Sequence, residues 1–312
     1  MIRALRFWLY TFSILMLNVH CKSEKKAEPT QNENKVEKSL TFTTPLGKEF
    51  TVSEPSEKLM NQYNEAKEIY KAYPDSIEAL IWYGRRTAYL GRYNDAISIY
   101  SKGINQFPKE PRLYRHRGHR YISIRKFDEA IIDFEKASEL IVGTENQIEP
   151  DGMPNARNIP VSTLHGNIYY HLGLTYYLKH DYQKCRASGK LPDNIVSSTH
   201  WLYMIQRRIG NVKLAKEMLE PIQSNMDVFE NQSYYDLCKV YKEITPIDSL
   251  LQAGTGSPSN DAVSYGVANW YFYNDDKEKA KKIMQDLVES TAWSSFGYIA
   301  AETQIITFVL IL

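Results

Sequence analysis

The chain has 312 residues, enough for one elongated domain or two globular ones and for a sizeable buried core. Its net charge of +1 sets up no overall field toward nucleic acid or anionic lipid, so any basic patch must be local. Abundant Tyr (23) and modest Gly (15) fit an ordered helical protein and exclude a disordered or collagen-like chain.

The N-terminus opens with the basic MIRALR, continues through the apolar run FWLYTFSILMLNV, and reaches Cys21 followed by the polar KSEKKAEPTQNENKVEKS. The apolar run has the length of a signal h-region and is too short for a comfortable membrane span. Run, Cys and polar tether together resemble a bacterial lipoprotein signal, which implies lipidation of Cys21 and an exported, envelope-anchored protein. Asn18, Val19 and His20 depart from the small residues that family prefers before its Cys, so an ordinary signal peptide or an uncleaved anchor stand beside this reading. The expected layout is an export segment at 1–21, a polar tether at 22–55 and a folded region at 56–312. Cys185 and Cys238 lie in predicted helices. They could pair in an oxidising compartment or serve as two small buried side chains.

From Glu57 onward the chain repeats itself. Gly84 and Gly118 are 34 residues apart, and at the same offset Tyr93 matches Phe127, Ala96 matches Ala130, Tyr100 matches Phe134 and Gly103 matches Ala137. Pro74 and Pro108 keep the period. The register returns in YYHLGLTYYLKHDYQKC, WLYMIQRRIGNVKLAKEML and YGVANWYFYNDDKEKAKKIM. A degenerate unit fits between the last two, with SYYDLCKVYKE as its first helix and a short second helix after Pro246. EKLMNQYNEAKEIYKAYP reads as a lone leading helix and FGYIAAETQIITFVLIL as a terminal one. These residues resemble the tetratricopeptide repeat (TPR), a helix-turn-helix unit of that length, over roughly residues 56–310. The resemblance implies an all-α, right-handed solenoid of helical hairpins that bury their apolar faces against one another. The spacing between Gly118 and Gly173 exceeds the period, and the excess predicts an inserted loop at 143–165. Such a loop carries binding function or patches a break in the superhelix.

In the family, the first helix of each hairpin lines the concave groove with one stripe of residues. Carried onto this chain, the stripe offers Arg85 from the first repeat and Arg112, Arg115 and His119 from the second. Later repeats give Tyr170, Tyr177, His200, Arg207, Tyr234, Tyr241, Tyr265, Asn269 and Tyr273. This is a groove basic in its first half and aromatic in its second. Arg supplies planar bidentate donors and Tyr supplies rigid contact area with a polar tip. The set suits an extended protein or peptide partner with acidic or carboxylate groups, and it also suits a glycan. The opposing reading has the tyrosines packed inside the superhelix and the arginines merely solvated.

Catalytic signatures are missing from the sequence: it holds no GxSxG, Walker A, GxGxxG or HExxH pattern and no paired CxxC. His116 and His119 sit one helical turn apart but lack further ligands, so no metal and no cofactor are expected. His180 and Arg125, in inter-helix turns, are expected in solvent, and Arg117, where the family usually has an apolar residue, must snorkel or find an acid. The apolar tail ITFVLIL predicts docking onto a partner, a second copy or an earlier repeat, or simple inward packing as a cap. The expected function is a non-catalytic, envelope-associated adaptor for a protein or peptide, with no nucleic-acid binding and an oligomeric state left open. A glycan-binding lipoprotein of a nutrient-uptake system is the alternative, and an enzyme with its site under the 143–165 loop is a second one.

Overall fold

The structure is a computed structural model that describes residues 40–149, 157, 159–187, 195–250 and 258–310. Cys21, the export segment and the tether up to residue 39 lie outside these residues. The described chain begins with a two-stranded antiparallel hairpin, β1 (Thr41–Thr43) and β2 (Glu49–Thr51), with Phe42 opposite Phe50. Helices α1 (Glu57–Ala72), α2 (Ile77–Tyr89), α3 (Tyr93–Gln106), α4 (Pro111–Ser123) and α5 (Phe127–Leu140) follow. Then come α6 (Leu164–Leu178), α7 (Tyr182–Ala187), α8 (Ile195–Arg208), α9 (Val212–Met218) and α10 (Gln232–Tyr241). A 3-10 turn (Ile247–Leu250), α11 (Pro258–Tyr273), α12 (Lys277–Leu287) and α13 (Phe296–Leu310) complete the order. Among the described residues no helix is long and apolar enough to cross a membrane.

The hairpins form where the repeat places them, for local reasons. Ser76 caps α2 by accepting from the Ala79 amide at 3.3 Å, and Glu110 caps α4 with Pro111 just inside it. Within the first two hairpins a glycine lets the paired helices touch. A Cβ at Gly84 would lie 2.5 Å from the Tyr100 ring, and one at Gly118 would lie 2.9 Å from Phe134. The turn between paired helices also repeats. Gly91, Arg125, His180, Gly210 and Asp275 each adopt positive φ two residues before the second helix of their hairpin. Gly91 and Gly210 meet this demand without strain, whereas Arg125, His180 and Asp275 hold an αL conformation that costs a non-glycine residue free energy. Leu80, Leu113, Ile122, Ala130, Phe134, Leu237, Ala268 and Ala280 carry the core along the stack, all fully buried.

Two features depart from an open solenoid. Residues 40–55, expected as part of a polar tether, instead form the β-hairpin and pack onto the far end of the chain. Phe42 stacks on Trp293 at 4.4 Å, Phe50 meets Tyr298 edge-on at 6.0 Å, and Lys48 donates to the Val288 carbonyl at 3.1 Å and pairs with Glu289. The second is α13. It lies against α11 and α12 and continues across the concave side to the second and third hairpins. Phe296 sits between His119 and His171, with ring centroids 5.3 and 5.8 Å away. Further along α13, Glu302 pairs with Arg125 at 2.8 Å and Thr307 bonds His180 at 3.0 Å. The apolar tail, as far as Phe308, therefore packs inward on earlier repeats of its own chain, and Phe308 stacks on Phe272.

This packing overturns the expectation that Arg125 and His180 are solvated. Arg125 is buried with Glu302, donates to the Ser123 and Trp293 carbonyls at 2.6 and 2.7 Å, and lies over the Phe42 ring. His180 is held neutral, its pKa brought down to about 4 by burial and the nearby Arg208. Arg117 finds its acid in Asp133, bonded through both carboxylate oxygens at 2.7 and 2.8 Å. Cys185 and Cys238 are buried and not joined in a disulfide.

Candidate functional site

The residues expected to line the groove fall into two sets with different surroundings. In the second half the helices approach so closely that stripe residues meet each other. The Tyr177 and Tyr265 hydroxyls share a hydrogen bond at 2.9 Å although they lie 88 residues apart. Trp201 donates to the Tyr170 hydroxyl at 3.1 Å. His200 is sandwiched by Tyr234 at 4.5 Å and Tyr241 at 5.8 Å. Arg207 donates to the Tyr273 carbonyl at 2.7 Å, and Asn269 accepts from Arg208 at 3.0 Å. Tyr177, His200, Tyr241, Tyr265 and Asn269 are all buried. Burial raises the Tyr170, Tyr177, Tyr241 and Tyr273 phenols well above their ordinary value and drops His200 to about 3. These side chains are an internal aromatic core. The expectation of an open aromatic half-groove gives way because these side chains pack on one another from different hairpins.

The first half keeps a polar, partly open surface built by α2 and α4. Arg85 donates to the Tyr89 hydroxyl at 2.7 Å and stacks over Trp82 at 4.6 Å, while Tyr89 is 45% exposed. Arg112 bonds Glu110 at 2.8 Å and also reaches Glu78, so burial, which lowers its pKa, is outweighed by two carboxylates that raise it. Arg115 is buried between His116, at 2.9 Å, and Glu149, at 2.8 Å. His119 faces His171 at 4.7 Å. His116 instead stacks on Tyr100 at 5.6 Å, so the two histidines of α4 look toward different neighbours and share no ligand geometry. Among the described residues no group of three or more His, Cys, Asp or Glu is placed to hold a metal.

The sequence reading missed two members of this half. Arg120, one turn past His116, lies half-buried over the Tyr93 ring at 5.5 Å. Glu149 comes from the inserted loop, whose ends are held by a bridge between Ile148 and Thr163, and it bonds Arg115 and Asn167. Arg157 anchors the same loop on Asp227 and over the Phe229 ring at 4.6 Å. The rest of that loop, at 150–156 and 158, lies outside the described residues. Burial and then the fields of Arg115, Arg85 and Arg120 hold His116 neutral, and burial followed by Arg120 does the same to His119.

Successive helical hairpins with left-handed turns, the first two 34 residues apart and each with a glycine under an aromatic ring, settle the architecture. The chain is an all-α solenoid of TPR-like helical hairpins. No family model and no curated protein matches it. Among solved structures the solenoid is similar to the crystal structure of YrrB, "a TPR protein with an unusual peptide-binding site", at 13% identity and a TM-score of 0.42, over 80% of this chain and all of that one. It is also similar to a chain of Naa15/Naa10 bound to HypK-THB, at 16% identity and a TM-score of 0.35, over 75% of this chain. The solenoid spans only 34% of that second chain.

Proposed function

We propose that the solenoid is a non-catalytic adaptor that captures an acidic segment of a protein partner on the open first half of its concave face. The observation that carries this reading is the cluster of cations there: Arg85 bonds the exposed Tyr89 hydroxyl at 2.7 Å and stacks over Trp82, Arg115 already holds a carboxylate, Glu149, at 2.8 Å, and Arg120 lies over Tyr93. Guanidinium groups in a partly dry cleft favour carboxylates through short, charge-assisted, bidentate bonds. Exposed Tyr89 adds an aromatic contact beside them. In the second half Tyr177, Tyr241 and Tyr265 are buried against other side chains, which closes those rings to a sugar and favours the peptide over the glycan. Attachment to an envelope through Cys21 belongs to this proposal too, supported by the order of apolar run, Cys and polar tether.

The test is fluorescence anisotropy with short labelled peptides, Asp/Glu-rich against a charge-reversed scramble. The full chain should bind the acidic peptide, and Arg85→Glu should weaken binding at least tenfold with unchanged circular dichroism. Equal binding of both peptides, or no effect of Arg85→Glu, removes the reading. Metabolic labelling with a fatty-acid analogue, compared with Cys21→Ala, tests the anchor separately.

A further inference from the structure

Helix α8 ends in two neighbouring arginines, and both lie against Tyr273 at the end of α11. The ring centre is 4.8 Å from the Arg207 guanidinium and 6.0 Å from that of Arg208. Arg207 fixes the tyrosine in place, donating to its carbonyl at 2.7 Å, to Asn274 at 3.3 Å and to the Tyr203 hydroxyl at 3.0 Å. Arg208 is answered far less well. Its Nε donates to Asn269 Oδ1 at 3.0 Å and its Nη2 bonds the same oxygen, while the guanidinium rests 4.0 Å over the Phe272 ring. Among the described residues Arg208 makes no ion pair, and its Nη1 has no acceptor. One amide oxygen thus serves a cation with five N–H donors. Asn269 has no more to give, because it is fully buried and its own amide donates to the Tyr265 carbonyl at 3.2 Å. The Tyr273 hydroxyl is buried and has no hydrogen-bond partner among the described residues. Burial lifts its pKa well above the ordinary phenol value, so it remains a donor at neutral pH. His180, kept neutral by burial and by Arg208, brings no countercharge.

We infer that Arg208 and Tyr273, held by Asn269 and Arg207, form a binding site for a small aromatic monocarboxylate. One anionic charge offsets that of Arg208, which no acid answers and which is costly to leave unpaired away from water. The two oxygens of a carboxylate match the donors on offer: one accepts from the free edge of Arg208 and the other from the Tyr273 hydroxyl. The walls set the body of the ligand. Phe272 lies under the guanidinium and stacks on Phe308 at 5.8 Å, so an aryl ring carried by the carboxylate meets aromatic surface. Arg208, Phe272, Tyr273 and Phe308 are each partly exposed, whereas Asn269 is buried, so the group opens to solvent and is not sealed in the core. These residues come from α8, α11 and α13, away from the α2 and α4 surface assigned to the acidic partner. The inference goes beyond the adaptor reading and does not depend on it.

Benzoate is titrated into the full chain by calorimetry at fixed ionic strength, with benzamide as its neutral isostere and acetate as the carboxylate without a ring. The expected result is saturable benzoate binding, at least tenfold tighter than benzamide and several-fold tighter than acetate. Arg208→Gln should weaken benzoate at least tenfold and Tyr273→Phe several-fold, with anisotropy of the acidic peptide retained in both. Equal binding of benzoate and benzamide overturns the inference, as does acetate binding as tightly as benzoate or an unchanged benzoate affinity in Arg208→Gln. Should Arg208→Gln fail to fold, Tyr273→Phe removes a single hydroxyl and decides: a several-fold loss supports the site and an unchanged affinity overturns it. On the wild type alone, saturation transfer from the protein to the benzoate ring supports the site and its absence overturns it. Benzoate binding without peptide capture removes the adaptor reading and leaves this site standing; peptide capture without benzoate binding does the reverse.

Discussion

Replacing Glu302 with Gln isolates the pair on which closure of the solenoid depends. The side chains of Arg125 and Glu302 are 4% and 0% exposed, so the variant leaves a buried guanidinium with only the Ser123 and Trp293 carbonyls and an uncharged amide. Breaking one side of a buried ion pair costs about 3–5 kcal/mol, because the surviving charge is stranded in a medium that solvates it poorly. For a chain of this size that corresponds to a fall in melting temperature of roughly 6–20 °C. The comparison variant is Glu289→Gln, which breaks the Lys48–Glu289 pair, 29% and 74% exposed, and should cost under ~1 kcal/mol. Urea unfolding followed by circular dichroism, with Trp fluorescence as a second probe, measures both. The double variant Arg125→Met with Glu302→Leu removes both charges and keeps the volume, so it should be less destabilised than the two single variants added together. If Glu302→Gln costs no more than Glu289→Gln, or if the double variant is simply additive, the closure does not rest on a buried charge pair and the reasoning fails.

Stability should also depend on pH through the neutral buried histidines. Burial holds His171 and His200 at about 3, below the unfolded value near 6.5. The unfolded chain therefore binds protons first, so stability is full above pH ~6.5 and falls on acidification by ~1.4 kcal/mol per pH unit for each histidine. Urea midpoints that coincide at pH 7.5 and 5.5 refute this. Glycine substitutions should rank by what they strike: Gly297→Ala meets the Asp261 backbone carbonyl at 2.3 Å and should cost more than Gly118→Ala, which meets the end of the Phe134 ring at 2.9 Å. Thermal melts in the opposite order would contradict the assigned helix contacts. Tyr177→Phe strands the buried Tyr265 hydroxyl and should cost about 1 kcal/mol, read by the same unfolding curves.

The fold was legible because its constraints are local and periodic. Gly84 under Tyr100 and Gly118 under Phe134 are the same contact one repeat apart, and such pairs survive in a single sequence. Arg117 was legible as a demand: an arginine on a packed face needs an acid, and Asp133 on the paired helix supplies it. The groove was only half legible. A helical stripe says which side chains face inward, but the radius of the superhelix decides whether they face a partner or each other. That radius follows from how each degenerate hairpin tilts on the last, which periodicity does not encode. Tyr177 and Tyr265 meet for that reason. Arg125 was misjudged because its burial comes from segments distant in sequence, the β-hairpin and α13. The hairpin itself had a signal in TFTTPLGKEFT, two short Thr/Phe runs around a Pro-Leu-Gly turn, hidden beside a long charged segment.

Phe42 against Trp293 and Arg125 against Glu302 join the first described residues to the last ones. In most repeat arrays each unit leans only on its neighbours, so a growing chain can settle piece by piece as it is made. Here the earliest described segment and the turn of the second hairpin both wait for residues made much later, Trp293 and Glu302. During synthesis at ~5–20 residues per second, that leaves an interval of many seconds in which apolar Phe42 and the buried cation of Arg125 have no native neighbours. The half-made protein is thus a different object from a shorter solenoid: its β-hairpin and its Arg125 turn are halves of one clasp, vulnerable until α13 arrives.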